Sequence, residues 1–289
     1  MLKINGKTKL VGIMGYPLEH TLSPIFHNAA FNYLDLNWCY IPIPVEEKFF
    51  DKAKEGIRVI KNFVGVNITM PYKEKVLPCL DEISSYAQVI GAVNTIHIVD
   101  NGRLVGYNTD GRGFLTALSQ DGGFNPKNKN VLIIGAGGAS RAVAVSLALS
   151  GIKKLKILNR TLDKAEAIRS KIISNFACEV EIFNFQSNLE NCFSSIDLIV
   201  NATPVGMVKE EYPFPVELIS REHFVCDLIY EPLETPLIRA AKEKGAKTLN
   251  GLNMLLYQGA AAFKIWTHID PPIEVMRKAL EDALELKKN

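Results

Sequence analysis

Short apolar runs, rich in β-branched residues, alternate with longer stretches of helical apolar spacing along most of this chain. The alternation predicts an α/β fold with parallel sheets, because the connection between two parallel strands is long enough to hold a helix. The predicted strands cover residues 10–14, 38–43, 64–68, 131–134, 155–158, 198–201 and 225–228. The predicted helices cover residues 24–33, 46–60, 139–149 and 162–173.

The length of 289 residues predicts about two domains. A polar, turn-rich segment at residues 120–127 comes just before the strand at 131–134. We therefore expect a domain boundary slightly upstream of this segment.

Composition and charge exclude several classes of function. Lysine and arginine number 33 against 31 acidic residues, a net charge of +2, and the interleaving of the two signs argues against nucleic-acid binding. The five cysteines form no C-x-x-C pair, so they suggest neither a disulfide framework nor a zinc site, and we expect no bound metal. No apolar run approaches the roughly 18 residues of a membrane span. We expect a cytoplasmic protein that binds neither nucleic acid nor a membrane.

The strand at 131–134 leads directly into a glycine-rich turn and then a helical pattern, which is typical of a dinucleotide-binding Rossmann unit. Gly135 permits the tight turn, Gly137 lets the backbone approach a pyrophosphate, and the helix N-terminus stabilises its negative charge. Such turns also occur for purely structural reasons, and that alternative stays open here. The candidate cofactor-binding residues of the turn are Gly135, Ala136, Gly137, Gly138 and Ala139.

The end of the next predicted strand indicates which dinucleotide is bound. An NAD-specific site places an acidic residue there, about 20 residues after the turn, to hold the ribose 2′-hydroxyl. This chain has Asn159, Arg160 and Thr161 instead, with Lys164 one helical turn further on. Arg160 can form a forked pair with a 2′-phosphate, and Lys164 adds a second positive charge. The alternative is that both are solvated surface cations, but the pattern favours NADP.

Polar segments follow or end the apolar strands, where α/β folds place their binding groups. In chain order they are GYPLEHTLSP at 15–24, NITMPYK at 67–73, GAVNT at 91–95, GYNTDG at 106–111, NATPVGM at 201–207, DLIY at 227–230 and GLNMLLYQ at 251–258. Together with NRT at 159–161, this ordered set closely resembles the shikimate dehydrogenase family over residues 12–258.

The resemblance implies an N-terminal α/β substrate domain completed by C-terminal helices, at residues 1–109 and 252–289. A Rossmann-type NADP-binding domain at residues 110–251 would be inserted between these two parts. The implied activity is the NADP-dependent, reversible reduction of 3-dehydroshikimate to shikimate by hydride transfer, in the chorismate pathway of aromatic amino acid biosynthesis. The implied partner is this small-molecule substrate, and we expect a monomer or a homodimer.

The resemblance also assigns site residues by motif. Lys73 and Asp110 would form the catalytic pair. The residues that would hold the ring hydroxyls and the carboxylate of the substrate are Thr21, Ser23, Asn67, Thr69, Asn94, Tyr230 and Gln258. Thr203 and Gly251 join the cofactor-binding set.

The chemistry of the catalytic pair is reasonable from first principles. Reduction of a ketone leaves an alkoxide that needs a proton, so a cationic Lys73 near that oxygen can stabilise the charge and act as a general acid. We expect Lys73 in the first turn of a helix, where the macrodipole disfavours a cation, and a functional role then explains it better than an ordinary surface position. Asp110 would position the ammonium group and accept a substrate hydroxyl.

Three of these residues also have structural interpretations. Asp110 fits the N-cap of a helix at 111–118, and Ser23, before Pro24, fits the N-cap of the helix at 24–33. Gln258 shares an apolar helical stripe, so we expect it to point inward and to bond either a ligand or a backbone carbonyl.

Two departures from the family pattern leave alternatives open. Thr21 stands where the family commonly has serine, and its methyl group should disfavour quinate, which carries an extra ring hydroxyl. Lys164 stands where the family often has arginine, which exchanges a fork for a point charge. The alternatives are a quinate/shikimate dehydrogenase with relaxed NAD or NADP use, and a non-catalytic nucleotide-binding regulator. The presence of both Lys73 and Asp110 argues against the regulator.

Overall fold

The computed structural model describes residues 4–207, 212 and 214–286. Its internal contacts divide the chain into two compact units, Met1–Thr109 with Gln258–Asn289, and Asp110–Tyr257. The boundary predicted after residue 251 and the observed boundary after Tyr257 both fall within one helix, Gly251–Thr267.

The first unit contains a mixed six-stranded sheet in the order β2-β1-β3-β5-β6-β4. Its strands are β1 (Lys9–Gly15), β2 (Trp38–Pro44), β3 (Phe63–Ile68), β4 (Glu82–Ile83), β5 (Thr95–Val99) and β6 (Arg103–Tyr107). β1 pairs in parallel with both β2 and β3, whereas β5 is antiparallel to both of its neighbours. The carboxyl ends of β1 and β3 therefore lie side by side, with Met14 opposite Ile68.

The hairpin of β5 and β6 was not assigned as two strands from the apolar runs. Its turn contains Asn101 and Gly102, which both have positive φ, 61° and 77°. An Asn-Gly pair between two apolar runs is a strong hairpin signal, because both residues tolerate this left-handed backbone. The two strands keep a continuous register from Thr95 opposite Tyr107 to Val99 opposite Arg103.

The second unit contains a six-stranded sheet in the order β12-β11-β10-β7-β8-β9, and all of its pairs are parallel. Its strands are β7 (Asn130–Ile134), β8 (Lys154–Leu158), β9 (Glu179–Phe183), β10 (Leu198–Asn201), β11 (Phe224–Asp227) and β12 (Lys247–Leu249). Counted from β7, the order is 3-2-1-4-5-6, the arrangement of the Rossmann fold. The strand order reverses between β7 and β10, which is where such sheets bind ligands.

The core of the second unit explains why its strands read as continuous apolar runs. Val131 and Ile133 of β7 pack into one hydrophobic cluster, and Leu132 and Ile134 pack into another. Successive side chains of a strand point to opposite faces, so both faces of this sheet are covered. The predicted α/β class with a Rossmann-type domain is confirmed.

The helices match the predicted ones closely where the apolar spacing is regular. The first unit holds α1 (Ser23–Tyr33), α2 (Phe50–Val59) and α3 (Ser85–Ile90), and the second holds α4 (Asp110–Gln120), α5 (Gly138–Leu149), α6 (Leu162–Asn175), α7 (Leu189–Phe193) and α8 (Pro236–Glu243). They are followed by α9 (Gly251–Thr267) and α10 (Ile273–Leu286). α10 packs against α1, so the C-terminal part of the chain completes the first unit.

Across the described ranges, no helix has the length and apolar character needed to cross a membrane. Within the same residues, no group of three or more His, Cys, Asp or Glu side chains is arranged to hold a metal ion.

Candidate active site

The first group of candidate residues lies at the adjacent carboxyl ends of β1 and β3. The backbone of Gly15 approaches Thr69 so closely that a Cβ on this glycine would overlap the threonine side chain. Beyond β1, the Thr21 hydroxyl accepts a hydrogen bond from the Ser23 backbone N–H at 3.4 Å. These contacts hold the loop after β1 against the end of β3.

Ser23 does not have the capping role that its place before Pro24 suggested. α1 begins at Ser23 itself, its N-cap is Leu22, and no side chain caps the helix. Ser23 is 4% exposed, and its interaction with Tyr40 lowers the pKa of the phenol, against the larger effect of burial, which raises it. The N-cap interpretation was therefore wrong, because Ser23 is already part of the helix and its hydroxyl caps no backbone N–H.

Asn67, near the end of β3, is bonded on both sides of its amide. The Tyr40 hydroxyl donates to Asn67 Oδ1 at 2.8 Å. Asn67 Nδ2 donates to the Asn94 carbonyl at 3.1 Å and to Thr95 Oγ1 at 3.0 Å. Burial raises the pKa of Tyr40, so its hydroxyl stays protonated and remains a donor to Asn67.

Asn94 extends this network towards α9. Its Oδ1 accepts from the Thr109 backbone N–H at 2.7 Å, and its Nδ2 donates to Thr109 Oγ1 at 2.9 Å. Nδ2 also lies 3.5 Å from Gln258 Oε1, as a long hydrogen bond. Gln258 thus lies within reach of the side-chain amide of Asn94.

The expectation that Lys73 occupies the first turn of a helix was wrong. Residues 73–76 form turns, and the first regular element after them is the short 3-10 helix Leu77–Cys79. Pro71 and Pro78 bracket a segment too short to nucleate an α-helix, and Pro78 provides no N–H to continue one. The argument from the helix macrodipole therefore no longer applies. The Lys73 carbonyl accepts a hydrogen bond from the Val93 N–H at 2.8 Å, which ties its loop to the residue before Asn94.

Asp110, the other proposed catalytic residue, is the first residue of α4 and is 5% exposed. It directly follows Thr109, which is bonded to Asn94. A carboxylate in the first helical turn is favoured by the macrodipole. Asp110 thus lies inside the helix and not at the N-cap position before it.

In the second unit, the glycine turn lies at the point where the strand order reverses. Gly135 has φ of 108°, and a Cβ there would meet Thr203 Cγ2 at 2.8 Å. The Ser140 hydroxyl donates to the Gly135 carbonyl at 2.6 Å and fixes the turn to α5. Only glycine permits this conformation and this close approach.

The start of α5 suits a bound pyrophosphate. Gly137 is its N-cap, and no described side chain caps the helix. A Cβ on Gly137 or Gly138 would meet nothing within 4 Å. Exposed N–H groups at a helix start, with open space beside them, form a site for an anion.

The end of β8 suits a 2′-phosphate. Asn159 Nδ2 donates to the Thr161 carbonyl at 2.7 Å, which shapes the turn into α6. Arg160 and Lys164 are exposed, and neither forms an ion pair with another residue in the part of the chain that the structure describes. Two cations without acidic partners, and no acid at this strand end, fit NADP and not NAD.

A buried carboxylate, which the motif analysis did not single out, organises the loops after β10 and β11. Asp227 is 0% exposed and accepts hydrogen bonds from Thr235 Oγ1 at 2.7 Å and Asn201 Nδ2 at 2.9 Å. The Tyr212 hydroxyl and the Ile229 N–H also donate to it. Burial raises the pKa of this carboxyl, and the four donors oppose that shift.

Asn201 connects Asp227 with Thr203, a candidate cofactor-binding residue. Its Oδ1 accepts from Thr203 Oγ1 at 2.7 Å and from the Thr203 backbone N–H at 3.1 Å. Thr203 is therefore held against the glycine turn by a chain of hydrogen bonds that begins at Asp227.

Tyr230 follows β11 and Gly251 follows β12, both in the second unit. The Gly251 N–H donates to the Ile229 carbonyl at 3.0 Å, and a Cβ on Gly251 would overlap the Leu228 carbonyl. Close packing thus requires glycine at the start of α9. Burial and the nearby Glu231 charge raise the pKa of Tyr230, which stays a neutral phenol.

Sequence reasoning missed Tyr40, Thr95, Asn201 and Asp227 as supports of the site. Asn201 and Asp227 stood in the quoted motifs, as the first residues of NATPVGM and DLIY. A buried polar residue at the end of an apolar strand needs a partner, and this is the signal that could have identified them.

The Rossmann strand order, the uncapped glycine turn and the two cations after β8 place the chain among α/β oxidoreductases that use a pyridine dinucleotide. Family models narrow this class. Residues 13–96 match the shikimate dehydrogenase substrate binding domain, residues 117–208 match shikimate / quinate 5-dehydrogenase, and residues 251–281 match the shikimate 5'-dehydrogenase C-terminal domain.

Individual relatives agree with the family models. The chain is 48% identical over 282 residues to the shikimate dehydrogenase (NADP(+)) of Desulforamulus reducens, covering 96% of each chain. A crystal structure of a shikimate dehydrogenase in complex with NADP+ superposes with a TM-score of 0.90 at 44% identity, covering 98% of each chain. The Thermus thermophilus enzyme in complex with NADP(H) and shikimate gives a TM-score of 0.85 at 39% identity, covering 96% of this chain and all of that one. The chain belongs to the shikimate dehydrogenase family.

Proposed function

We propose that this chain catalyses the NADP-dependent, reversible reduction of 3-dehydroshikimate to shikimate, a step of aromatic amino acid biosynthesis. The observation that carries the proposal is the buried polar network of the first unit. Asn67, Asn94 and Gln258, three of the side chains assigned to the substrate by resemblance, belong to it. A polyhydroxy acid needs several fixed donors and acceptors, and this network supplies them.

The residues that would hold NADP fit that group. Gly135, Gly137 and the start of α5 would receive the pyrophosphate, and Arg160 with Lys164 would receive the 2′-phosphate. When bound, the reduced nicotinamide supplies the hydride that forms the new C–H bond at the carbonyl carbon.

Lys73 and Asp110 would carry out the proton transfer that accompanies reduction of the carbonyl. As the carbonyl is reduced, its oxygen gains negative charge, and the Lys73 ammonium group stabilises this charge and donates the proton. Asp110 accepts a hydrogen bond from a substrate hydroxyl and orients the ammonium group. In the reverse direction, neutral Lys73 accepts the hydroxyl proton.

Initial rates of NADPH formation from shikimate test this role, with Lys73→Ala compared with Lys75→Ala. Lys75 lies in the same loop but is exposed and paired with Glu47, so it is a matched control. We expect Lys73→Ala to lower kcat by about 10²- to 10⁴-fold, the usual contribution of a general acid, with NADP binding unchanged.

Two outcomes would contradict the proposal. Equal rates for the two variants would remove Lys73 from the mechanism. No turnover of shikimate by the parent, with intact NADP binding, would favour a non-catalytic nucleotide-binding regulator.

The cytoplasmic location and the monomeric or homodimeric state remain proposals from the sequence. Light scattering on the purified chain, at micromolar concentration, would determine its mass. A mass above that of a homodimer would contradict the expected state.

A further inference from the structure

Tyr40 hydrogen-bonds Asn67, a proposed substrate residue, without itself being one. It is on β2, 1% exposed, and its ring stacks on His27 of α1 with centroids 4.4 Å apart and planes 4° from parallel. Asn28 fixes its backbone at both polar atoms, at 2.8 Å and 3.0 Å. The phenol is therefore held in one place by its ring and by its backbone.

The Tyr40 hydroxyl determines how Asn67 presents its amide. Asn67 Nδ2 has two hydrogens, and they are donated to the Asn94 carbonyl and to Thr95 Oγ1. Asn67 Oδ1 must then face Tyr40, whose hydroxyl donates to it at 2.8 Å. A flipped amide would turn its oxygen towards the Asn94 carbonyl, which has no hydrogen to donate, so only the observed orientation keeps that bond.

We propose that Tyr40 is a positioning residue for shikimate, which holds Asn67 in the orientation that the substrate requires. The inference rests on the proposed function. Without the hydroxyl, Asn67 Oδ1 loses its donor and the amide takes up several orientations, and binding must then select the productive one.

Tyr40→Phe tests the proposal, because it removes the hydroxyl and keeps the stacked ring. We expect the KM for shikimate to rise about 5- to 20-fold, the range for loss of one buried hydrogen bond. The KM for NADP should stay unchanged, since the glycine turn belongs to the other unit.

Trp266→Phe is the matched control. Trp266 is 2% exposed, packs in the same aromatic cluster, and donates Nε1–H to the Ile96 carbonyl at 2.9 Å. Its replacement also removes a buried hydrogen bond near Tyr40, but not one of Asn67. The KM for shikimate should therefore remain that of the parent, while the urea midpoint falls at least as far as in Tyr40→Phe.

A double-mutant cycle with Asn67→Ala separates positioning from general destabilisation. If Tyr40 acts through Asn67, adding Tyr40→Phe to Asn67→Ala should raise the KM for shikimate by less than half the factor seen in the parent. Full additivity, or equal KM values in Tyr40→Phe and Trp266→Phe, would overturn the positioning role while the proposed function stands. A parent that neither oxidises shikimate nor binds it in calorimetry would overturn both.

Discussion

Arg160 is the side chain that we propose selects NADP over NAD. It lies at the end of β8, exposed, with no ion pair to any other described residue. A guanidinium paired with a phosphate contributes roughly 1.5–3 kcal/mol. We therefore expect Arg160→Ala to raise the KM for NADP at least about tenfold and to leave the KM for NAD unchanged, as measured by initial rates with each dinucleotide.

Arg169→Ala is the control for this residue. Arg169 lies on α6, as Lys164 does, and is paired with Glu166. Its loss removes one positive charge, as Arg160→Ala does, but from the adjoining helix and away from the strand end. A similar rise of the KM for NADP in both variants would show that only the general charge of this surface matters, and would contradict a specific 2′-phosphate site.

At the scale of single elements, α1 carries a buried imidazole whose protonation opposes folding. His27 is 0% exposed, and neither ring nitrogen has a hydrogen-bond partner among the described residues. Burial lowers its pKa from 6.5 to about 3. Its neighbours are aromatic rings, from α1, β2 and α9, including Phe26, Tyr40 and Phe263.

The sign of the pH effect follows from this lowered pKa. Below pH 6.5, His27 is protonated in the unfolded chain but stays neutral in the folded chain. The free energy of unfolding therefore falls as the pH falls towards 3. Between pH 7 and pH 5, His27 should lower the free energy of unfolding by about 2 kcal/mol. Urea unfolding of the parent and of His27→Leu, a change of similar volume, measures the difference. Equal losses in both proteins over this range would contradict the effect.

The elements also show where sequence reasoning works. The strands of the Rossmann unit are buried on both faces, so β7 and β10 stand out as continuous apolar runs and their ends were predicted to within a residue. β9, with the sequence EVEIF, has charged and partly exposed positions, and no such run marks it. The helix predicted at Lys73 is not present, because Pro71 and Pro78 bracket the segment. The polar motif around Lys73 nevertheless pointed to the family.

At the scale of the whole molecule, the site depends on contacts between segments far apart in the chain. The alternation of apolar runs and helical patterns predicted the α/β class, the glycine-rich turn predicted the Rossmann unit, and the ordered motifs predicted the family, because each of these signals is local. Tyr40 is 27 residues from Asn67, and Asn201 is 26 from Asp227. The partners of a buried polar side chain are set by strand order and register, which apolar periodicity alone does not give.

The most direct test of the central claim compares substrates and dinucleotides in one set of rates. Purified enzyme is assayed with shikimate or quinate, each with NADP or NAD, and kcat/KM is determined for all four pairs. We expect shikimate with NADP to exceed every other pair by about tenfold or more, because we propose that the Thr21 methyl group disfavours the extra hydroxyl of quinate and that Arg160 pairs with the 2′-phosphate. Equal or higher kcat/KM with quinate or with NAD would contradict an NADP-dependent shikimate dehydrogenase.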